Sequence, residues 1–468
     1  MQNVNRWFAL GLVGSALGCA DGAGPANLAL QVAPENESAV VRTAEAIKPH
    51  RDVGRKLMII GTQTDVLVGT VTADAIFVDR MIADVGGKDN LHVLVVPAAS
   101  GIPAWLPGYL SRVLVTRGVP AGNLEVAHIA TVDDDTTPDV DESTWNHGAY
   151  LPSEVAKIAR ANVVWFAGGD QSRCVSLLLD QAGNASPFQA AVKAKLAAND
   201  LIIAGYSAGA AIMSDPMIGG GTSWGALTLP PDPDPACNTD AICVARGLGY
   251  IPERYSVLTD QHFMQRGRFA RSVRALGVAD RKTSWGVDAY TAFYVDFNRE
   301  QAEVVGVPKL GSVGIVGRDG AELNHEQAGP PFTGDQYTVS VLSVGDTYNL
   351  PSKAHPHGEG IHPNGDDYYE PFSQYYSDMP VFTDAFGKDV LYYNIAEYFA
   401  DGTPLASGAR VDALSLLAQE TGDTFGFRLR FTADKHSEVA WNSESGYSMF
   451  NARLQISTVM AKINGIGP

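Results

Sequence analysis

The chain has 468 residues, of which 45% are hydrophobic and 18% are charged. This composition indicates a globular protein that can bury a large core, in two domains. The formal net charge of -18 argues against non-specific nucleic-acid binding, which requires a basic surface. The same charge is compatible with a cationic substrate.

The first 24 residues are typical of an export signal. An apolar run follows Arg6 and is too short to span a membrane as a mature helix. Residues 16–19 resemble a bacterial lipobox, in which Cys19 would carry a lipid, and simple cleavage at a nearby small residue is an equal alternative. Residues 25–50 predict a linker. We therefore expect an exported protein, either free or held as a lipoprotein.

Short apolar runs alternate with helical patterns between residues 51 and 320. Because each predicted strand is almost wholly apolar, the pattern favours an α/β fold with a mostly parallel sheet and helices on both faces. The predicted strands are 56–60, 92–96, 124–129, 163–166, 201–204 and 257–260. The predicted helices are 74–84, 103–117, 153–160, 173–197 and 264–276. Residues 215–247 predict a loop, and closing antiparallel strands are predicted at 285–295, 302–307 and 313–316.

The sequence pattern changes near residue 320. We predict a catalytic domain at 51–320 and an appended, mixed C-terminal domain at 321–468. Strands are predicted at 337–348, 426–432 and 447–457, a polar loop at 349–380 and a helix at 389–400. The histidines and aspartates of this loop do not have the spacing of a standard zinc site, so a polar loop is favoured over a metal site. These side chains are His355, His357, His362, Asp366 and Asp367.

The stretch 201–214 predicts a strand, a tight turn and a helix, with Ser207 in the turn. The turn has the pattern G-x-S-x-G, which exposes a serine hydroxyl at the end of a sheet. The free N–H groups at the start of the following helix can hold an oxyanion. We interpret Ser207 as a nucleophile for acyl transfer, with an oxyanion hole from the N–H groups of Ala208 and Gly169. An ordinary junction with a surface serine is the alternative.

A serine nucleophile needs a base within hydrogen-bond reach and an acid that orients the base. His262 is the best placed of the ten histidines, because it follows a predicted strand whose end lies at the same edge of the sheet. A histidine that merely caps a helix is the alternative. The candidates for the acid are Asp288, Asp260 and Asp215.

Arg266, Arg268 and Arg271 follow His262 in a predicted helix. They do not share one helical face, so their spacing alone favours a solvated basic helix. If they line a pocket, they predict a substrate with carboxylates, because a guanidinium group pairs with a carboxylate at two points.

Two cysteines lie close together in the predicted loop. Cys237 and Cys243 flank five residues, and in an exported chain they predict a disulfide, with two free thiols as the alternative. Cys174 has no evident partner and is expected to be buried.

Five motifs stand in a fixed order within residues 54–318. They are Ile59-Ile60-Gly61, Pro97-Ala98-Ala99-Ser100, Gly168-Gly169-Asp170-Gln171, Gly205-Tyr206-Ser207-Ala208-Gly209-Ala210, and Asp260-Gln261-His262-Phe263 with Arg266, Arg268 and Arg271. In this order they resemble the cyanophycinases, a serine peptidase family that includes aspartyl dipeptidase. The run D-Q-H-F-x-x-R-x-R-x-x-R is the most specific of these motifs.

The resemblance implies a fold like that of class I glutamine amidotransferases, with Ser207 as nucleophile and His262 as base. It implies a substrate pocket formed by Gln171, Asp260, Gln261, Arg266, Arg268 and Arg271. The implied substrate is cyanophycin, a polyaspartate with an arginine on each side chain, which is cut to β-Asp-Arg dipeptides. The C-terminal region resembles that of exported cyanophycinases.

The chain departs from the family pattern at one position. The third catalytic residue of the family is a Glu in G-I-D-E-x-T-A, and this chain has Ala289 there, after Asp288. Neighbouring residues of an extended segment point to opposite sides, so Asp288 replaces the Glu only with a local shift. We nevertheless predict Asp288 as the acid, and a slow or inactive enzyme is the alternative.

The expected protein is an exported serine peptidase that hydrolyses cyanophycin without a cofactor or a metal. We expect a polypeptide substrate and neither nucleic acid nor a membrane span as partner, and a homodimer is left open. The alternatives are an exopeptidase on short Asp-containing peptides and a catalytically weak or inactive homologue that binds cyanophycin.

Overall fold

The computed structural model describes residues 53–62, 67–68, 71–318, 330–350, 361–362, 410–416, 422–432, 437–442 and 445–463. The predicted export signal, the linker, the lipid attachment at Cys19 and the helix at 389–400 lie outside the described residues. The side chains of the histidine-containing loop lie outside them as well. No helix within the described ranges has the length and apolar character that crossing a membrane requires.

Strands and helices alternate through the first half of the chain. The described helices are α1 (Ala73–Val85), α2 (Trp105–Thr116), α3 (Pro152–Arg160), α4 (Gln171–Leu178), α5 (Pro187–Ala197), α6 (Ala208–Ala211), α7 (Ser223–Thr228) and α8 (Phe269–Val278). The described strands are β1 (Gly54–Ile60), β2 (Leu67–Val68), β3 (Val71–Thr72), β4 (Val93–Val96), β5 (Leu124–Val126), β6 (Val163–Phe166), β7 (Asp200–Tyr206), β8 (Met217–Gly220), β9 (Cys243–Ala245), β10 (Val257–Gln261), β11 (Thr283–Val287), β12 (Thr291–Asp296), β13 (Gln301–Gly306), β14 (Val313–Arg318), β15 (Gly334–Leu342), β16 (Thr347–Asn349), β17 (Ile361–His362), β18 (Arg410–Leu416), β19 (Gly422–Thr432), β20 (Glu438–Asn442) and β21 (Gly446–Ile463).

The first sheet has a parallel centre, in the order β1-β7-β6-β4-β5, and the antiparallel strands β12, β13, β16 and β17 extend it beyond β1. Successive residues of a strand face opposite sides of the sheet. Met58 and Ile60 therefore pack with α1 and α2, whereas Leu57 and Ile59 pack with α3, α4 and α5. The predicted parallel sheet with helices on both faces is confirmed.

The second sheet begins with the parallel pair β10 and β11 and continues through the antiparallel strands β14, β15, β21, β19 and β18, while β20 pairs with β21. Apolar residues of α8, including Phe269 and Val273, pack with inward residues of β19 such as Phe427 and Leu429. Because β14 pairs directly with β15, strands before and after residue 320 share this sheet. The domain division at residue 320 stays a prediction.

The long helix predicted over 173–197 is two helices, α4 and α5. Gly183 adopts a positive φ of 83° in the connection. The Ser186 hydroxyl accepts a hydrogen bond from the Gln189 N–H, and Pro187 is the first residue of α5, both of which are signals for a helix start. The prediction followed the apolar periodicity and overlooked these local signals.

Three other predicted elements differ from the structure. The strand predicted at 285–295 is two strands, β11 and β12, which belong to different sheets and are separated by a turn at Tyr290 with φ 63°. The helix predicted at 264–276 begins only at Phe269, because Gly267 has a positive φ of 56°. The loop predicted at 215–247 contains β8, α7 and β9.

Candidate active site

Ser207 lies in a strained turn between β7 and α6. Its φ of 47° and ψ of -109° are unfavourable for a residue with a side chain. The glycines around it allow close packing: a Cβ added at Gly205 would lie 2.3 Å from the Gly209 carbonyl oxygen, and one at Gly209 would lie 2.5 Å from the Phe166 carbonyl oxygen. The G-x-S-x-G pattern is therefore required by backbone contacts on both sides of the serine.

The structure brings Ser207 and His262 together. The Oγ atom of Ser207 lies 2.7 Å from Nε2 of His262. The backbone N–H of Ser207 donates to the Ile60 carbonyl at 3.1 Å, and the N–H of His262 donates to the Gly61 carbonyl at 3.1 Å. Although β10 belongs to the second sheet, the end of β1 thus holds both residues in place.

The His262 ring is held in its neutral form. Burial is the largest cause that lowers its pKa, and the nearby guanidinium groups of Arg266 and Arg268 lower it further, whereas Asp260 opposes them. The result is a pKa of about 3, compared with the ordinary 6.5. A neutral ring can accept the serine proton through Nε2, as a general base must.

The structure does not join Asp288 to His262. One carboxylate oxygen of Asp288 accepts the Met264 N–H at 2.8 Å, and the other accepts the N–H of Ser312 at 3.0 Å and its hydroxyl at 2.7 Å. Asp288 is 2% exposed. Its carboxylate therefore holds the turn after His262, and its predicted role as the orienting acid stays a prediction without a contact to support it.

The other candidate acids also have different partners. Asp215 accepts the Gly247 N–H at 3.1 Å, and Asp260 pairs with Arg271. No carboxylate in the described part of the chain forms an ion pair with the His262 ring. Ala289, at the family's glutamate position, is 5% exposed, and its N–H donates to Oε1 of Gln265 at 3.0 Å.

Asp260 and Arg271 form a buried ion pair. The Nε atom of Arg271 donates to Asp260 Oδ2 at 2.8 Å, Nη2 donates to Oδ1, and the Ser272 hydroxyl donates to Oδ2 at 2.9 Å. Burial alone would raise the pKa of Asp260, but the Arg271 guanidinium outweighs burial and holds that pKa below its ordinary value. Because Arg271 already has a carboxylate partner, we expect it to position β10 and not to contact substrate.

The remaining predicted pocket residues differ in their availability. Nη1 of Arg268 donates to the Gln261 carbonyl at 2.7 Å and to its side-chain Oε1 at 2.6 Å. Nε2 of Gln171 donates to the Gly219 carbonyl at 2.6 Å. Arg266 is exposed and lies in the turn after His262, so its guanidinium is the one among the three predicted arginines that solvent reaches most.

The predicted oxyanion hole has suitable local geometry. Ala208 is the first residue of α6, so its N–H has no acceptor within the helix. A Cβ added at Gly168 would lie 3.3 Å from the Ser207 Cβ, which places the Gly168–Gly169 turn against the serine. Gly169 has a φ of 133°, and a Cβ there would lie 2.0 Å from the Ala99 carbonyl oxygen. The assignment of the two N–H groups stays a prediction.

Sequence reasoning missed Arg173, which connects two loops at this edge of the sheet. Its Nη1 donates to the carbonyls of Ala99 at 3.0 Å and Ser100 at 2.9 Å, while the Asp170 N–H donates to the Ala99 carbonyl. Its place directly after the Gly-Gly-Asp-Gln motif was the available signal. No group of three His, Cys, Asp or Glu side chains that could hold a metal ion occurs among the described residues.

The buried ion pair leads to a prediction about stability. Asp260→Ala will lower the free energy of unfolding by about 3–5 kcal/mol, because it leaves a buried guanidinium without its partner. Urea unfolding at pH 7 measures this change. Asp89→Ala is the matched control, since its ion pair with Lys88 is exposed and should contribute less than about 1 kcal/mol. A loss in Asp260→Ala as small as the control would contradict the prediction.

Comparisons with known proteins point to one family. No family model matches the chain. A cyanophycinase from Nostoc sp. is 29% identical over 270 residues, which cover 56% of this chain and 77% of the relative. A cyanophycinase from Geminocystis herdmanii is 31% identical over 209 residues, which cover 44% of this chain and 67% of the relative.

Two solved structures were also matched. A peptidase from an acI-B1 Actinobacterium aligns with a TM-score of 0.38 at 18% identity, over 56% of this chain and 90% of the other. A peptidase E-type protein from Listeria monocytogenes aligns with a TM-score of 0.33 at 11% identity, over 54% of this chain and 99% of the other. On the sequence relatives, the chain belongs to the cyanophycinase family of serine-type peptidases.

Proposed function

We propose that this protein is an exported peptidase that hydrolyses cyanophycin to β-Asp-Arg dipeptides, with Ser207 as nucleophile and His262 as base. The observation that carries the proposal is the 2.7 Å contact between Ser207 Oγ and His262 Nε2 on a strained G-x-S-x-G turn. The similarity to cyanophycinases at about 30% identity supports the substrate.

The reaction follows from this geometry. Ser207 Oγ attacks the scissile carbonyl carbon while His262 Nε2 takes the hydroxyl proton, and the carbonyl oxygen becomes an oxyanion held by the N–H groups of Ala208 and Gly169. The C–N bond then breaks, and His262 returns the proton to the leaving amine. Water attacks the acyl-enzyme by the same route, so the acid is released and Ser207 regains its proton.

The charges of the site fit the repeating unit of the polymer. Each unit carries a carboxylate and a guanidinium group. The exposed Arg266 can pair with the carboxylate, whereas Oε1 of Gln171 can accept an N–H from the guanidinium. An exopeptidase on short Asp-containing peptides would use the same two contacts.

The decisive experiment uses the purified full chain and insoluble cyanophycin. We expect release of soluble β-Asp-Arg, identified by mass spectrometry, and none with the Ser207→Ala variant. Short Asp-containing dipeptides are assayed in parallel. Cleavage of the dipeptides alone would favour the exopeptidase, and binding to the polymer without cleavage of any substrate would favour an inactive homologue.

The low pKa of His262 predicts an unusual pH profile. We expect the rate of Ser207 inactivation by phenylmethylsulfonyl fluoride to stay constant down to about pH 5, since the base is protonated only near its pKa of about 3. Because the folded pKa lies below the unfolded value of 6.5, His262 also lowers stability progressively as pH falls from 6.5 towards 3.

Arg266 provides the matched controls for this profile. Arg266→Gln removes a positive charge beside His262, so the acid limb of the inactivation rate should move to higher pH, whereas Arg266→Lys should leave it in place. An acid limb near pH 6.5 in the unchanged protein would contradict the predicted pKa.

We also propose that the protein is exported, and that Cys19 is the site of a lipid anchor. The predicted disulfide between Cys237 and Cys243 is confirmed, and such bonds persist in oxidising compartments. Metabolic labelling with palmitate distinguishes the two forms: a labelled wild type and an unlabelled Cys19→Ala variant support the anchor. Protein that stays in the cytoplasm would refute export.

A further inference from the structure

A glycine segment at residues 219–221 connects the two sides of the proposed site. The Gly219 carbonyl accepts the Gln171 Nε2–H at 2.6 Å, and Gln171 follows the turn that packs against Ser207. The Gly221 carbonyl accepts a hydrogen bond from Arg271 Nη1 at 2.8 Å. The glycine segment therefore contacts the nucleophile side through Gln171 and the base side through Arg271.

A second contact links the same strand end to the turn after His262. The hydroxyl of Ser223, two residues beyond the glycine segment, donates to the Gly267 carbonyl. The same hydroxyl accepts the Arg271 N–H at 3.2 Å. A displacement of this segment would thus reach both Gln171 and the residues that follow His262.

The Cys237–Cys243 disulfide packs directly against the glycine segment. Cys243 lies opposite Gly220 in the pair of β8 and β9. A Cβ added at Gly219 would lie 2.3 Å from the Cys237 Sγ, and one at Gly220 would lie 2.6 Å from the Cys237 carbonyl oxygen. These contacts show why glycine occupies these positions: any side chain would displace either the strand or the disulfide.

The hydrogen bond from Gln171 leaves one group available. Because Nε2 is held by the Gly219 carbonyl, the orientation of the amide is fixed, and Oε1 is the remaining acceptor. Oε1 accepts no hydrogen bond from the described residues. Its position is therefore set by the glycine segment and, through it, by the disulfide.

We propose that the Cys237–Cys243 disulfide and the glycine segment are positioning elements that orient Gln171 for substrate binding. This inference rests on the proposed function, since it assigns Oε1 of Gln171 to an N–H donor of the substrate, either the guanidinium or a peptide N–H. The disulfide then acts on substrate affinity and not on the chemical step, because it contacts neither Ser207 nor His262.

A double-mutant cycle tests this coupling. We expect Gln171→Ala to raise KM about tenfold, the effect of one lost hydrogen bond, and the Cys237→Ala, Cys243→Ala protein to raise KM about threefold to tenfold, with kcat nearly unchanged in both. In the protein with all three changes, loss of the disulfide should add little. Additive effects, or an unchanged KM without the disulfide, would overturn the proposal. Assays are made below the lowest thermal midpoint of the set.

Gly219→Ala gives an independent check. In the oxidised protein the new methyl group meets Cys237 Sγ, so the strand must move and KM should rise. In the protein without the disulfide, Sγ is absent, and the same substitution should change KM by less than about twofold. An equal rise in both backgrounds would mean that the disulfide does not fix the strand.

Hydrogen exchange separates this inference from the proposed function. Release of dipeptide by the unchanged protein decides the function. Faster amide exchange at 217–223 and 171–178 in the protein without the disulfide, with 163–166 unchanged, supports the positioning role whether or not cyanophycin is the substrate. Unchanged exchange in both segments would refute the role, even in a protein that degrades cyanophycin.

Discussion

Ser207→Ala will lower kcat/KM for cyanophycin by at least about 10³, while the protein stays folded. The alanine lacks the oxygen that attacks the carbonyl, so only binding and oxyanion stabilisation remain. Folding should be unaffected, because the hydroxyl contacts His262 at the surface of the turn and the packing of the turn depends on Gly205 and Gly209. Release of β-Asp-Arg and the thermal midpoint measure the two effects.

Two variants complete this experiment. Ser176→Ala is the matched control: its hydroxyl donates to the Arg173 carbonyl on the exposed side of α4, and its loss should leave kcat/KM unchanged. Ser207→Gly should be as inactive as alanine but more stable, since glycine relieves the backbone strain at φ 47°, which is on the order of 1–3 kcal/mol. A Ser207→Ala protein with a tenth of the original activity would exclude the serine mechanism.

Local sequence signals were sufficient to predict the elements that carry the nucleophile. An apolar run before G-x-S-x-G specifies a buried strand and a tight turn, and residues within ten positions determine both. The same locality explains the correct strand at 163–166. It also explains the error at 173–197, where the Ser186-Pro187 helix start was present but the apolar period was weighted more heavily.

The arrangement around His262 could not be read from local signals. The N–H groups of Ser207 and His262 reach β1 across more than a hundred residues, and the chain carries no local mark of those contacts. The arginine-rich run was predicted to be helical, but Arg268 donates back to Gln261 and keeps the turn open until Phe269. Charge spacing likewise did not reveal that Arg271 is paired internally.

The largest effect after the nucleophile is expected at the missing acid. In a serine triad the acid fixes the histidine tautomer and stabilises the imidazolium, and its loss costs about 10⁴ in kcat. Here Ala289 stands at the family's glutamate position, and Asp288 is bound to the N–H of Met264 and to Ser312. We therefore expect Ala289→Glu to raise kcat at least about tenfold, with about 10⁴ as the upper limit.

Ala289→Gln controls for the size of the new side chain, since it has the shape of glutamate without the charge. Asp288→Asn tests the alternative. Asparagine has one acceptor oxygen and can serve either Met264 or Ser312, so we expect a loss of about 1–3 kcal/mol in unfolding free energy with only a modest loss of kcat. A fall of about 10⁴ in kcat at unchanged stability would instead assign the orienting acid to Asp288. A gain in Ala289→Glu that Ala289→Gln does not share would show that this enzyme works without its triad acid, because the carboxylate alone then restores what His262 lacks.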